Sequence, residues 1–190
     1  MNKYVFCGAH STGKTTILNQ FKDSGKEIIT EVVRNLAKKG VKINRDGDEK
    51  GQKKIFAEYL KLFKEKSNFV SDRGLIDVVA YTVYLSRIGK VSEKFADKQL
   101  KDLHKFTINN PDIVYFFFPI EFDIVEDGVR DNDEQFRKDI EEIILSILAS
   151  LRLKFVVVSG TVEERMNKIK RVEDWFEGYK QLFTIINIKG

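Results

Sequence analysis

With 190 residues, the chain suits one α/β domain and leaves little room for a second. Apolar side chains make up 42% and charged ones 33%, which excludes pervasive disorder, and a formal net charge of +4 is too small to argue for nucleic acid by itself. The single cysteine, Cys7, excludes an internal disulfide; with no signal-like start and no apolar run of membrane-spanning length, the expectation is a cytoplasmic, reduced protein without membrane contact.

Residues 3–8 form the first apolar run, and Cys7 reads as a small core residue at its end. Directly after it stands Gly8-Ala9-His10-Ser11-Thr12-Gly13-Lys14-Thr15, a full match to the Walker A pattern, followed by Thr16 and a helical segment over 14–21. The glycines permit a tight turn, which aims successive backbone N–H groups at phosphates, and the helix adds its positive end. Lys14 is expected to be a solvated loop residue that neutralises the β- and γ-phosphates, and Thr15 to hold magnesium. His10 either touches a phosphate or fills the loop. Gly8, His10, Ser11, Thr12, Gly13, Lys14, Thr15 and Thr16 are therefore the expected binding residues for ATP (or GTP) and Mg2+.

A second strand is expected over 26–30, with Glu31 and Arg34 three apart on one face of the following helix. That pair either reads a substrate hydroxyl and phosphate or forms a plain surface ion pair. Residues 40–52 read as a polar loop, and Gln52, opening the next helix, is a candidate reader of a base edge. The third strand, 68–72, ends in Asp72-Arg73. In open α/β sheets ligands sit at the carboxyl ends of strands, so Asp72 should lie beside the phosphate loop. There it would take a proton from an acceptor hydroxyl or hold magnesium, with Arg73 facing the acceptor or transferring phosphate. Residues 75–86 read as an apolar helix.

Residues 112–118 and 154–159 complete five short, mostly continuous apolar runs. Strands covered on both faces by helices look like this, and the alternation with helical patterns implies a parallel sheet between two helical layers. Residues 119–137 read as a lid that would deliver Arg130 and Arg137 over the phosphates and exclude water. Its second part begins the clearest helix, 133–151, with Phe136, Ile140, Ile143, Ile144, Ile147, Leu148 and Leu151 on one face and a capping box expected at Asp131 and Glu134. A second capping box is expected at Thr161 and Glu164. Backbone at Ser159, Gly160 and Thr161 is placed to bracket an adenine ring. The kinase domain is expected over 1–172, with 173–190 a helical tail whose aromatic residues pack on it.

These motifs together carry a family resemblance. Residues 8–15, Glu31-x-x-Arg34, Ser71-Asp72-Arg73-x-Leu75-Ile76-Asp77, Pro111-Asp112-Ile113-Val114, Asp127-Gly128-Val129-Arg130 and Ser159-Gly160-Thr161 resemble the NadR-type P-loop family. That family includes ribosylnicotinamide kinase domains and many small, often phage-encoded, nucleoside or nucleotide kinase-like proteins. The resemblance covers nearly the whole chain to about Arg171. It implies a P-loop kinase fold with sheet order 2-3-1-4-5 and phosphoryl transfer to a nucleoside-like acceptor. Aspartate-arginine at 72–73 departs towards thymidylate and deoxynucleoside kinases, so the acceptor is open between a nucleoside, a nucleotide and a ribosyl compound such as nicotinamide riboside. A kinase for a modified base or DNA end lacks a conspicuous basic groove. A nucleotide-binding regulator is disfavoured by Asp72 and the arginine-bearing lid, and a homodimer is compatible with the sequence.

Overall fold

The computed structural model describes residues 2–122 and 133–188, with the end of the last helix as backbone alone. Five parallel strands form one sheet: β1 (Lys3–Cys7), β2 (Glu27–Ile29), β3 (Phe69–Asp72), β4 (Ile113–Phe117) and β5 (Phe155–Val157), in the order β2-β3-β1-β4-β5. Between them run α1 (Lys14–Leu18), α2 (Val32–Lys38), α3 (Glu49–Glu65), α4 (Leu75–Arg87), α5 (Glu93–Asn109), α6 (Glu134–Ser150) and α7 (Val162–Ile188).

Strand periodicity splits the core in two, because successive side chains point to opposite faces. In β1, Val5 and Cys7 join Phe69, Ile113, Tyr115 and Phe117 beneath helices α2 to α6. Tyr4 and Phe6 face the other way, onto Ile17, Leu18 and Phe21 after the phosphate loop and Ile169 of α7. Edge-on rings tie that smaller core together: Tyr4 and Phe6 lie 5.3 and 5.9 Å from Phe116. The register pairs Phe6 with Asp72 and Cys7 with Phe117. The carboxyl ends of β1, β3 and β4 therefore open side by side, where the cleft forms.

Local chemistry explains the helix starts. Asp48 caps α3 by accepting from the Gly51 N–H at 2.7 Å, so the helix begins at Glu49, before the expected end of the 40–52 loop. Asp133 caps α6, its Oδ1 accepting from Phe136 at 2.9 Å. The cap is thus two residues later than the expected Asp131, which lies outside the described residues. The Thr161–Glu164 capping box forms in both directions, at 2.7 and 3.2 Å. From there α7 runs without a break through residue 172 to Ile188. No helix among the described residues is long and apolar enough to cross a membrane.

Candidate active site

The phosphate loop emerges from β1 through two glycines with left-handed or still rarer backbone. Gly8 has φ +147° and a Cβ there would run into the Phe118 carbonyl; Gly13 has φ +81° and a Cβ would lie 2.8 Å from Arg165 Nη1.

Three cations grip the backbone of this loop. Lys14 Nζ donates to the carbonyls of Gly8, at 2.9 Å, and Ala9. Arg137 donates through Nε to His10 O at 3.2 Å and through Nη2 to Ser11 O at 3.1 Å. Arg165 Nη1 donates to Thr12 O at 2.6 Å. Five consecutive carbonyls, from residue 8 to residue 12, are thus turned onto three cationic side chains. With its carbonyls engaged in this way, a loop of this kind leaves N–H groups for an anion.

The lysine is therefore not the solvated residue expected from sequence. It is 5% exposed. Burial, then the neighbouring Arg73 guanidinium, push it down to about 8, against Asp72 and Asp77, which hold it up. Arg137 differs more sharply from its expected place over the phosphates. Its side chain is wholly buried, and besides the loop carbonyls it donates to Phe122 O at 2.5 Å and Glu134 Oε1 at 3.1 Å. Its donors are engaged by three backbone carbonyls and the Glu134 carboxylate. Arg130 lies outside the described residues.

Thr15 and Asp72 meet across the loop's mouth, the hydroxyl donating to Oδ2 at 2.6 Å. Among the described residues no three His, Cys, Asp or Glu side chains cluster as a metal cage. A hydroxyl beside a lone carboxylate fits magnesium, which binds through one or two protein oxygens together with nucleotide phosphates and water. His10 is 5% exposed, with its ring 6.2 Å from Phe136, and fills space under the loop. Cys7 is fully buried and burial pushes its thiol up.

One cavity of about 580 Å³ joins these groups to a second set. Its phosphate-loop end is formed by residues 10–17 with Phe122, Gly160, Thr161, Val162 and Arg165. Beyond Asp72 and Arg73 lie Glu31, Arg34, Asn44, Gln52, Tyr59 and Tyr81, with Val32, Ile55 and Val78 as apolar wall. Glu31 and Arg34 pair at 3.4 Å. Gln52 is 2% exposed, its carboxamide 3.2 Å from Thr82 Oγ1, whose single hydroxyl proton has nearer acceptors in Gln99 Oε1 at 2.7 Å and Val78 O at 3.0 Å. The Arg73 guanidinium lies 5.5 Å over the Tyr81 ring. Tyr59 donates to the Asp72 carbonyl at 3.3 Å, and burial raises its phenol well above the usual range.

At the phosphate-loop end the expected base-bracketing backbone is already engaged. Gly160 N donates to Glu121 Oε2 at 2.9 Å and Thr161 N to Glu164 Oε2 at 2.7 Å, while Ser159 Oγ accepts from Lys168 at 2.7 Å. Gly160 and Thr161 still line the cavity; Ser159 does not. Arg165, in the first turn of α7, is 2% exposed and stands 4.9 Å over the Phe122 ring. No local signal distinguishes it from a surface arginine of α7.

Left-handed backbone concentrates here as well. Among the described residues five non-glycines have positive φ, and Ser11, Glu31, Asn44 and Arg73, at 52–75°, all line the cavity. Such conformations carry strain and cluster where side chains must be aimed.

Strand order and phosphate loop together define the P-loop NTPase/kinase fold. The AAA_28 family model, an AAA domain, matches residues 3–165, and the chain belongs to that family. Among solved structures, NadR in complex with NR superposes with a TM-score of 0.68 at 19% identity, covering 91% of this chain and 51% of NadR. NadR with NAD and AMP-PNP gives 0.66 at 16%, covering 90% and 49%. Deoxyadenosine kinase from M. mycoides with bound dATP gives 0.60 at 13%, covering 90% and 99%. This chain thus spans about half the length of the NadR proteins. No curated protein sequence matches. The NadR-type resemblance in the motifs holds at the level of family and fold.

Proposed function

We propose that the protein is an ATP- and magnesium-dependent kinase that transfers the γ-phosphoryl group to a nucleoside-like hydroxyl. One observation carries the reading: a single cavity runs from the phosphate loop, past Asp72 and Arg73, into a walled compartment with its own polar groups. A regulator that only binds nucleotide needs the first half. The second half, apolar with a few convergent polar side chains, has the make-up of a small-molecule subsite.

Lys14 and Arg73, with Arg130 from the lid, would stabilise charge on the transferring group. Magnesium bound between Thr15 and Asp72 would neutralise phosphate charge. The 2.6 Å contact between those two side chains supports a metal-side role for Asp72. Glu31, across the cavity, is then the carboxylate suited to accept the acceptor's hydroxyl proton, with Arg34 holding it in place. Gln52, buried in the cavity wall beside Thr82, suits recognition of a base or nicotinamide edge. The dimensions and chemistry of this compartment, and the nucleosides and nucleotides named for the NadR and deoxyadenosine kinase structures, favour a nucleoside or ribosyl compound over a DNA end.

The test is a screen of the purified chain with Mg-ATP against nucleosides, nucleotides, nicotinamide riboside and DNA ends, scored by ADP release and product mass. Phosphorylation of one small nucleoside class is the expected result. Transfer to DNA alone, or nucleotide binding with no transfer to any acceptor, would overturn it.

A further inference from the structure

Asp77 touches both halves of the cleft and has no part in the roles above. It stands at the third position of α4 with its side chain 2% exposed. Oδ2 accepts from the Gly74 N–H at 3.0 Å. That contact alone would be helix capping, an early acid reaching back to the cap's amide. The other oxygen does something capping does not require. Oδ1 accepts from the Gly8 N–H at 3.1 Å, and Gly8 is 69 residues away at the entry to the phosphate loop. Arg73 Nη1 lies 3.8 Å from the same oxygen.

These contacts form one chain of groups. The Gly8 amide is fixed by Asp77, and the Gly8 carbonyl accepts from Lys14. The Gly74 amide, fixed by the other carboxylate oxygen, immediately follows Arg73, whose backbone is left-handed at φ 75° and whose N–H donates to Phe6 O at 2.9 Å. A shift at the loop's entry therefore reaches the Arg73 guanidinium through a buried carboxylate, beside the backbone link from Phe6. Desolvation pushes the Asp77 carboxyl up, while Arg73, Lys14 and the two amides hold it down.

We infer that Asp77 is a positioning residue that couples the donor and acceptor halves, setting the phosphate-loop entry and Arg73 from one carboxylate. Its consequence for turnover rests on the kinase reading, but its signature is visible in nucleotide binding alone. Buried polar groups that share partners act non-additively, and a double-mutant cycle measures this directly.

The experiment is calorimetric titration of the full chain with Mg-AMP-PNP for wild type, Asp77→Asn, Arg73→Gln and the double variant, with thermal melts alongside. The amide keeps the shape of the carboxylate but has only one acceptor for two N–H donors. Asp77→Asn should weaken AMP-PNP about tenfold, and the several-fold effect of Arg73→Gln should shrink by at least threefold in the Asp77→Asn background. A residue that merely stabilises the fold would give multiplicative losses, which would overturn the coupling. If Asp77→Asn does not fold, amide exchange on the wild type reads the same link. Mg-AMP-PNP should slow the Gly74 amide together with Gly8, and slowing confined to the phosphate loop would overturn it. Absence of transfer to every acceptor would sink the kinase reading and leave this result standing; a wild type that binds no AMP-PNP would overturn both.

Discussion

The donor and acceptor halves of the cleft are built in different ways. The donor half is nearly contiguous in sequence, a loop whose carbonyls from residue 8 to residue 12 are held by Lys14, Arg137 and Arg165. The acceptor half is assembled from the end of β2, the start of α2, the turn at Asn44, α3, β3 and α4. Electrostatic grip preorganises the first; strained backbone at Glu31, Asn44 and Arg73 aims the second. Binding of phosphates should therefore survive damage to the acceptor wall beyond Arg73, while transfer should not.

Lys14→Ala should break the donor half most completely. Preorganised charge at a developing oxyanion is typically worth about 10²–10³-fold, and this residue also holds two loop carbonyls, so steady-state ADP release should fall at least that far. Wild-type turnover would refute the phosphate-loop assignment. On the acceptor side, Glu31→Gln should lower turnover by about 10²-fold or more, as loss of a general base does, with AMP-PNP affinity nearly unchanged. Asp72→Asn should reduce turnover by a similar factor and raise the magnesium concentration needed for half-maximal rate. An unchanged magnesium requirement would move Asp72 back towards the acceptor.

The two arginines that the sequence assigns to a lid should separate in the same experiments. Arg137→Ala removes a buried cation from three carbonyls, so the chain should lose about 3 kcal/mol or more of stability in a thermal or denaturant melt. Arg130→Ala should leave the melt nearly unchanged and lower turnover about tenfold or more, and by more than it lowers ATP affinity. Arg130→Lys should restore little, because a point charge cannot reproduce the guanidinium's planar fork. Normal turnover of Arg130→Ala with a slightly lowered melting temperature would make it a surface brace.

Much of this contrast follows from what sequence can carry. The phosphate loop was legible because its chemistry is local: glycines, lysine and hydroxyl stand at fixed spacing beside an apolar strand. All five strands were placed to within two residues, because buried parallel strands are short continuous apolar runs. The Thr161–Glu164 cap was legible for the same local reason. Arg137 and Arg165 were not, since nothing near them in sequence shows that the carbonyls of residues 10–12 lie 126–153 residues away. Nor does composition reveal that Gly160 and Thr161 spend their amides on Glu121 and Glu164.

A smaller effect is a proton. Lys14 titrates near 8 in the folded chain against an ordinary 10.5. Between those values the unfolded chain binds more protons than the folded one, so this group makes the nucleotide-free protein more stable as pH rises from 8 to 10.5, by up to about 3 kcal/mol. Phosphates favour the ammonium form, so AMP-PNP binding should take up a proton near pH 8.5–9, and affinity should decline as pH climbs above 8. Calorimetry in buffers of different ionisation enthalpy reads that uptake, which Lys14→Ala should abolish.

The central claim is that both halves of one cleft act in a single phosphoryl transfer. Its most direct measurement is the fate of γ-labelled phosphate from Mg-ATP, followed in parallel for wild type and Glu31→Gln in the presence of a nucleoside mixture. The account predicts label on a nucleoside product with the wild type, and intact ATP binding with little or no labelled product in the variant. Label released only as inorganic phosphate, or equal labelled product from both proteins, would contradict it.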